Sequence, residues 1–122
     1  RRVAEELVAL AEYASALDSA REACFRLETS TTRDEVFLGR LASRARAAVR
    51  SLGARLDAII LRLPRILRAD ADAMAGRLGV LMGLIDGSTD MWEDYSHLTG
   101  LHVELAAERD RVEECRADII GH

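Results

Sequence analysis

The sequence contains no lysine, no asparagine and no glutamine. All 17 basic side chains are arginine, set against 21 carboxylates for a formal net charge of −4. No folding rule forbids lysine on a solvated helix face, so the absence reads as a compositional bias of the source. It still has a structural consequence, because a guanidinium fork holds a carboxylate through two donors and an ammonium does not. Proline occurs once and aromatics make up 4% of the chain. Helix is therefore favoured, and aliphatic side chains, chiefly Leu and Ala, must fill the core. The two cysteines, Cys24 and Cys115, are far apart in sequence, which argues against a disulfide scaffold and a short-spaced zinc cluster. No run reaches the roughly 20 apolar residues that a bilayer-spanning helix requires, and no signal-peptide pattern is visible. From these absences the expected compartment is intracellular, the cytoplasm first. The chain opens on Arg1 rather than Met, which reads as an excised or trimmed piece whose leader would be out of sight.

What is present is helical periodicity. The 122 residues suit one domain, 1–122, with a modest core. Val3, Leu7, Leu10, Ala14, Leu17, Cys24 and Leu27 recur at the three-and-four spacing of one helical face. "ETSTTRDE" (28–35) interrupts that pattern, and Thr32 followed by Glu35 fits a capping box that starts a second helix. Its stripe runs through Leu38, Leu41, Ala45, Ala48, Leu52, Leu56, Ile59 and Leu63. After Pro64 it resumes in phase as Leu67, Ala71, Met74, Leu78, Leu81 and Ile85, so the proline either kinks one helix or opens the next. "DGSTD" (86–90) is a second turn, with Gly87 suited to the left-handed position after a helix and Asp90 with Glu93 as another capping box. A last helix carries Tyr95, Leu98, Leu105, Val112 and Ile119 inward. The spacing predicts an all-α, elongated antiparallel bundle of three to four helices, near 2–28, 33–62, 65–86 and 90–120.

The chemistry-bearing residues do not assemble into a catalytic constellation. Neither cysteine has a neighbouring histidine to act as base, and both fit as small core residues. Glu93, Asp94 and His97 share a helix face, but no second Glu-x-x-His-like motif exists to complete a metal site in a bundle. His102 lies near the core stripe. "DGSTDMWED" matches neither a calcium loop nor a phosphate loop. The expectation is no enzyme activity, no metal and no cofactor.

Charge is unevenly spread. Residues 33–68 carry a net +6 and the remainder −10. At about 100° per residue, Arg33, Arg40, Arg44, Arg55 and Arg62 fall on one narrow arc. Such a stripe is either a ridge for nucleic acid or an acidic membrane surface, or the partner of acids inside the same bundle. Glu93, Glu104 and Glu108, flanking the last helix's stripe, are the expected intramolecular partners, and stacking aromatics are absent from 38–68.

"GRLGVLMGLIDG" (76–87) is the other anomaly. An interior glycine costs a helix about 1 kcal/mol relative to alanine. Here Gly76, Gly79 and Gly83 fall opposite the core side, bordered by Val80 and Leu84. Gly79, Gly83 and Gly87 have the small-xxx-small spacing that lets another helix approach closely. The leading expectation is a non-enzymatic structural or protein-interaction module of coiled-coil type. It would self-associate, most simply as a dimer, or dock a partner helix through Gly76, Gly79, Val80, Gly83 and Leu84. The alternative is anion binding through the arginine stripe.

Overall fold

The structure, a computed structural model, describes residues 2–121. It is all-helical, and among these residues there is no strand. Five α-helices follow one another: α1 (Arg2–Thr29), α2 (Glu35–Ile59), α3 (Arg65–Asp86), α4 (Met91–Leu98) and α5 (Leu101–Gly121), with a 3-10 turn at Ile60–Arg62 before α3. None is long and apolar enough to cross a membrane.

α1 makes its most extensive contacts with α2 and α5. α2 returns along it, bringing Arg62 to 3.6 Å from Glu12. α5 runs antiparallel on its other side, so Phe25 meets His102 and Tyr13 meets Glu108. α3 lies against α2, where Arg50 reaches Asp86 at 2.7 Å. Leu10, Leu17, Leu27, Leu52, Leu56, Leu78, Leu98 and Leu105 are buried in one continuous core. Val3 is exposed, contrary to its place in the apolar stripe.

The local starts and stops differ from the expected ones for identifiable reasons. α2 begins at Glu35 rather than 33. Its cap is Asp34, whose carboxylate accepts from the Val36 and Phe37 amides, while Thr32 Oγ1 accepts from the Asp34 amide. The Thr32–Glu35 box is therefore displaced by a shorter acidic cap. Asp90 does cap α4, through the Trp92 amide, but Ser88 Oγ rather than Glu93 takes the Asp90 amide. Gly87 is not left-handed; its φ is −83°. Between α2 and α3 the backbone leaves helical geometry at Leu63 (ψ 152°) and Pro64 (ψ 142°). Arg68 fixes this turn by donating from Nε to the Leu63 carbonyl at 3.0 Å and from Nη2 to the Leu61 carbonyl at 2.9 Å.

The single expected helix over 90–120 is broken at Thr99–Gly100. Gly100, with φ +84°, is the one left-handed residue among those described, and the turn redirects the chain from α4 into α5. A β-carbon there is strained whatever the space around it. Gly100→Ala is expected to lower the unfolding free energy by about 1 kcal/mol, read from urea denaturation.

Candidate functional site

The α3 glycine face is open. A β-carbon built at Gly76, Gly79 or Gly83 meets nothing within 4 Å. Among the described residues no helix packs closely on that face, so an internal close approach does not account for the glycines. Val80 is 68% and Leu84 51% exposed beside them. The face forms one lip of a cleft of about 470 Å³, with Gly76, Val80 and Leu84 on one wall. His97, Thr99 and Leu101, from the corner that Gly100 creates, form the other. A shallower cleft of about 260 Å³ continues it between α3 and α5, sharing Arg77 and Glu104. Two ion pairs cross this seam, Arg77–Glu104 at 2.6 Å and Arg111–Asp70 at 3.3 Å. α3 therefore packs more extensively on α2 than on α5, and these two ion pairs tie it to α5.

The arginine stripe is placed differently from the expected intramolecular partnership. Arg33, Arg40, Arg44 and Arg55 are exposed, and none makes an ion pair among the described residues. Arg62 alone of the five does, with Glu12. Glu104 is taken by Arg77, and Glu108 by Tyr13 and Arg111. The α2 arginines that do bind acids across the fold are Arg46 and Arg50, which take Asp94 and Asp86. They lie on the flank of α2 that faces α3 and α4, whereas the stripe lies on the flank beside α1. Arg44 and Arg55 border shallow grooves between α1 and α2.

Two candidates dissolve on inspection. Asp94 is buried and turned to Arg46 rather than toward His97. His102 packs edge-on against Phe25, ring centroids 5.4 Å apart. Cys24 lies at the height of His102, and Cys115 lies near Glu6 at the other end of the α1–α5 pair; both thiols are free.

The buried polar centre of the fold was missed by pattern reading. Glu108 is fully buried. Its Oε2 accepts from the Tyr13 hydroxyl at 2.6 Å, and its Oε1 accepts from Arg111 Nε at 2.8 Å. Arg111 also faces Asp70, so the network joins α1, α5 and α3. The signal was present: Leu101, Leu105, Glu108 and Val112 follow one helical stripe, which sets a carboxylate in a core position. Burial, followed by the hydrogen bond and charge of Glu108, pushes the Tyr13 phenol up. Burial alone pushes the Cys24 thiol up to about 12 from an ordinary 9.0.

Both groups are neutral when protonated, and the folded chain holds their protons more tightly than the unfolded one. Their contribution is complete below about pH 9 and falls as pH rises toward 12. Urea midpoints are expected to drop steadily as pH rises above about 9, with Cys24→Ala and Tyr13→Phe each flattening the decline.

No protein-family model, curated protein or solved structure matches this chain.

Proposed function

We propose that the chain is a non-enzymatic helical interaction module, an elongated antiparallel bundle that docks a helix on the glycine-lined face of α3. The observation behind this reading is that Gly76, Gly79 and Gly83 have nothing over them among the described residues, beside exposed Val80 and Leu84, which with Gly76 line a cleft. Glycines at this spacing weaken their own helix and are useful where a second backbone comes close. The docked helix belongs to a protein, with a second copy of this chain as the first choice. Gly83→Leu tests it, because the side chain has room in the isolated chain and would block an approaching helix. The variant is expected to remain helical by circular dichroism and to lose the part of its association made through this face, so that its mass by sedimentation falls below that of the native chain. A folded Gly83→Leu chain with the same associated mass as the native one overturns self-association through this face.

A second reading has its own support. Arg33, Arg40, Arg44 and Arg55 stand exposed without ion pairs among the described residues, as a surface for nucleic acid or acidic lipid requires. Binding of that kind weakens steeply as salt is added, and absence of binding at low salt removes it.

A further inference from the structure

The α1–α2 surface is a different face from the glycine-lined one, and its charges are arranged in a complementary way. The outward side of α1 presents Val8, Ala11, Ser15 and Ser19, all exposed; that of α2 presents Ala47, Ser51, Ala54 and Ala58, also exposed. Charged side chains share the grooves with several of these small residues, arginines from α2 and carboxylates from α1. On α2 they are Arg44 and Arg55, without ion pairs among the described residues. On α1 they are Glu12 and Glu22. Glu12 and Arg55 border one groove, and Glu22 and Arg44 border the next, so each acid stands at the height of one arginine.

We propose that this face pairs two copies of the chain about a two-fold axis parallel to the helices, with Glu12 and Glu22 of each copy on Arg55 and Arg44 of the other. The charges choose the axis. A two-fold axis running across the helices would lay α2 on α2 and set arginine against arginine. One running along them lays α1 of each copy on α2 of the other and leaves every height unchanged. The acid and the arginine that share a groove within one copy therefore meet again between copies. Each acid already has a neighbour of its own, Glu12 with Arg62 and Glu22 with Arg26, and a carboxylate has acceptor sites for a second guanidinium. By the same register Arg26, which is paired with Glu22, falls near Arg40 of the other copy. The small side chains allow the helices to approach closely. The size is adequate: 25 residues of α2 span about 37 Å, and two adjacent helices about 20 Å across give a face of roughly 700 Å², close to the roughly 800 Å² per partner of a standard interface.

The test is a charge exchange made in the Gly83→Leu background, so that the α3 face is blocked and cannot supply the association. One chain carries Arg44→Glu and Arg55→Glu; the other carries Glu12→Arg and Glu22→Arg. Each alone sets like charges against each other at both symmetric contacts, and is expected to lose self-association by at least about tenfold. Mixed one to one, both contacts become complementary, and sedimentation equilibrium is expected to show a heterodimer. The substituted positions are on the surface, and circular dichroism checks that each chain is helical. The Gly83→Leu chain without charge changes provides a second measurement: its dimer is expected to weaken as ionic strength rises from about 0.05 M to about 0.5 M. A monomeric Gly83→Leu chain, a salt-insensitive dimer, or a mixture no more associated than its components overturns the proposal. Salt-sensitive binding of duplex DNA or acidic vesicles by a chain that stays monomeric assigns the arginines to that surface instead.

Discussion

Glu108→Ala is expected to cost about 3 kcal/mol of stability, the largest effect of any single polar substitution in the fold. The alanine leaves the Tyr13 hydroxyl buried with no acceptor, a penalty of about 1–3 kcal/mol, and removes packed methylenes from the core. Arg111 is half exposed and recovers part of its loss by turning to water and to Asp70. Glu108→Gln keeps an acceptor for Tyr13 and should cost appreciably less. The informative comparison is the double variant Tyr13→Phe with Glu108→Leu. It removes both polar groups together, and its cost should fall well below the sum of the singles, because the desolvation of one no longer depends on the other. Urea denaturation of the native chain, Tyr13→Phe, Glu108→Leu and the double variant measures this. A Glu108→Ala cost no greater than that of the surface change Glu104→Ala contradicts the buried network.

The second large effect has the opposite sign. Gly76, Gly79 and Gly83 lie in a regular helix and have open space where a side chain would stand. Replacing all three with alanine is expected to stabilise the isolated chain by about 2–3 kcal/mol, through the backbone freedom that glycine loses on folding. Chemical denaturation at low protein concentration reads this without association. A loss of stability would mean that something in the chain already occupies the face. The native sequence forgoes that stabilisation at three successive positions of one surface. Alanine remains small enough for a close helix approach, whereas leucine at 83 does not, so stability and docking are separable by choice of side chain.

Much of α2 was legible because its burial follows its period. Leu38, Leu41, Ala45, Leu52, Leu56 and Ile59 are all buried, as a stripe at helical spacing requires. The break at Gly100 was not legible, because a lone glycine inside an apolar stripe is also tolerated within a continuous helix. The choice of Asp34 over Thr32 as cap lay between two capping residues two positions apart, of which Asp is the stronger. The wheel correctly placed Gly76, Gly79 and Gly83 away from the core, but only the packed fold shows that nothing covers them. For the arginines, sequence spacing suggested partners on the last helix. The packing order decided otherwise, because the stripe flanks α1 and the α3–α4 side is served by Arg46 and Arg50. Glu108 was read as a flanking acid because carboxylates are rarely buried, although its stripe position was already visible.

The contact between Tyr13 and Glu108 also bears on the order in which the chain assembles. The two residues are 95 apart in sequence, whereas α1 and α2 are neighbours joined by a short turn. Pairing α1 with α2 closes a small loop, and docking α5 onto α1 closes one that spans most of the chain. Closure entropy grows with loop length, and helical contacts of short sequence separation form fastest. Loop closure thus favours the hairpin of the first two helices as the earlier pairing and the contact at the buried carboxylate as a later one. Interactions made that late chiefly govern how quickly the native state opens, so the loss of stability on removing Glu108 is expected to show as faster unfolding more than as slower folding.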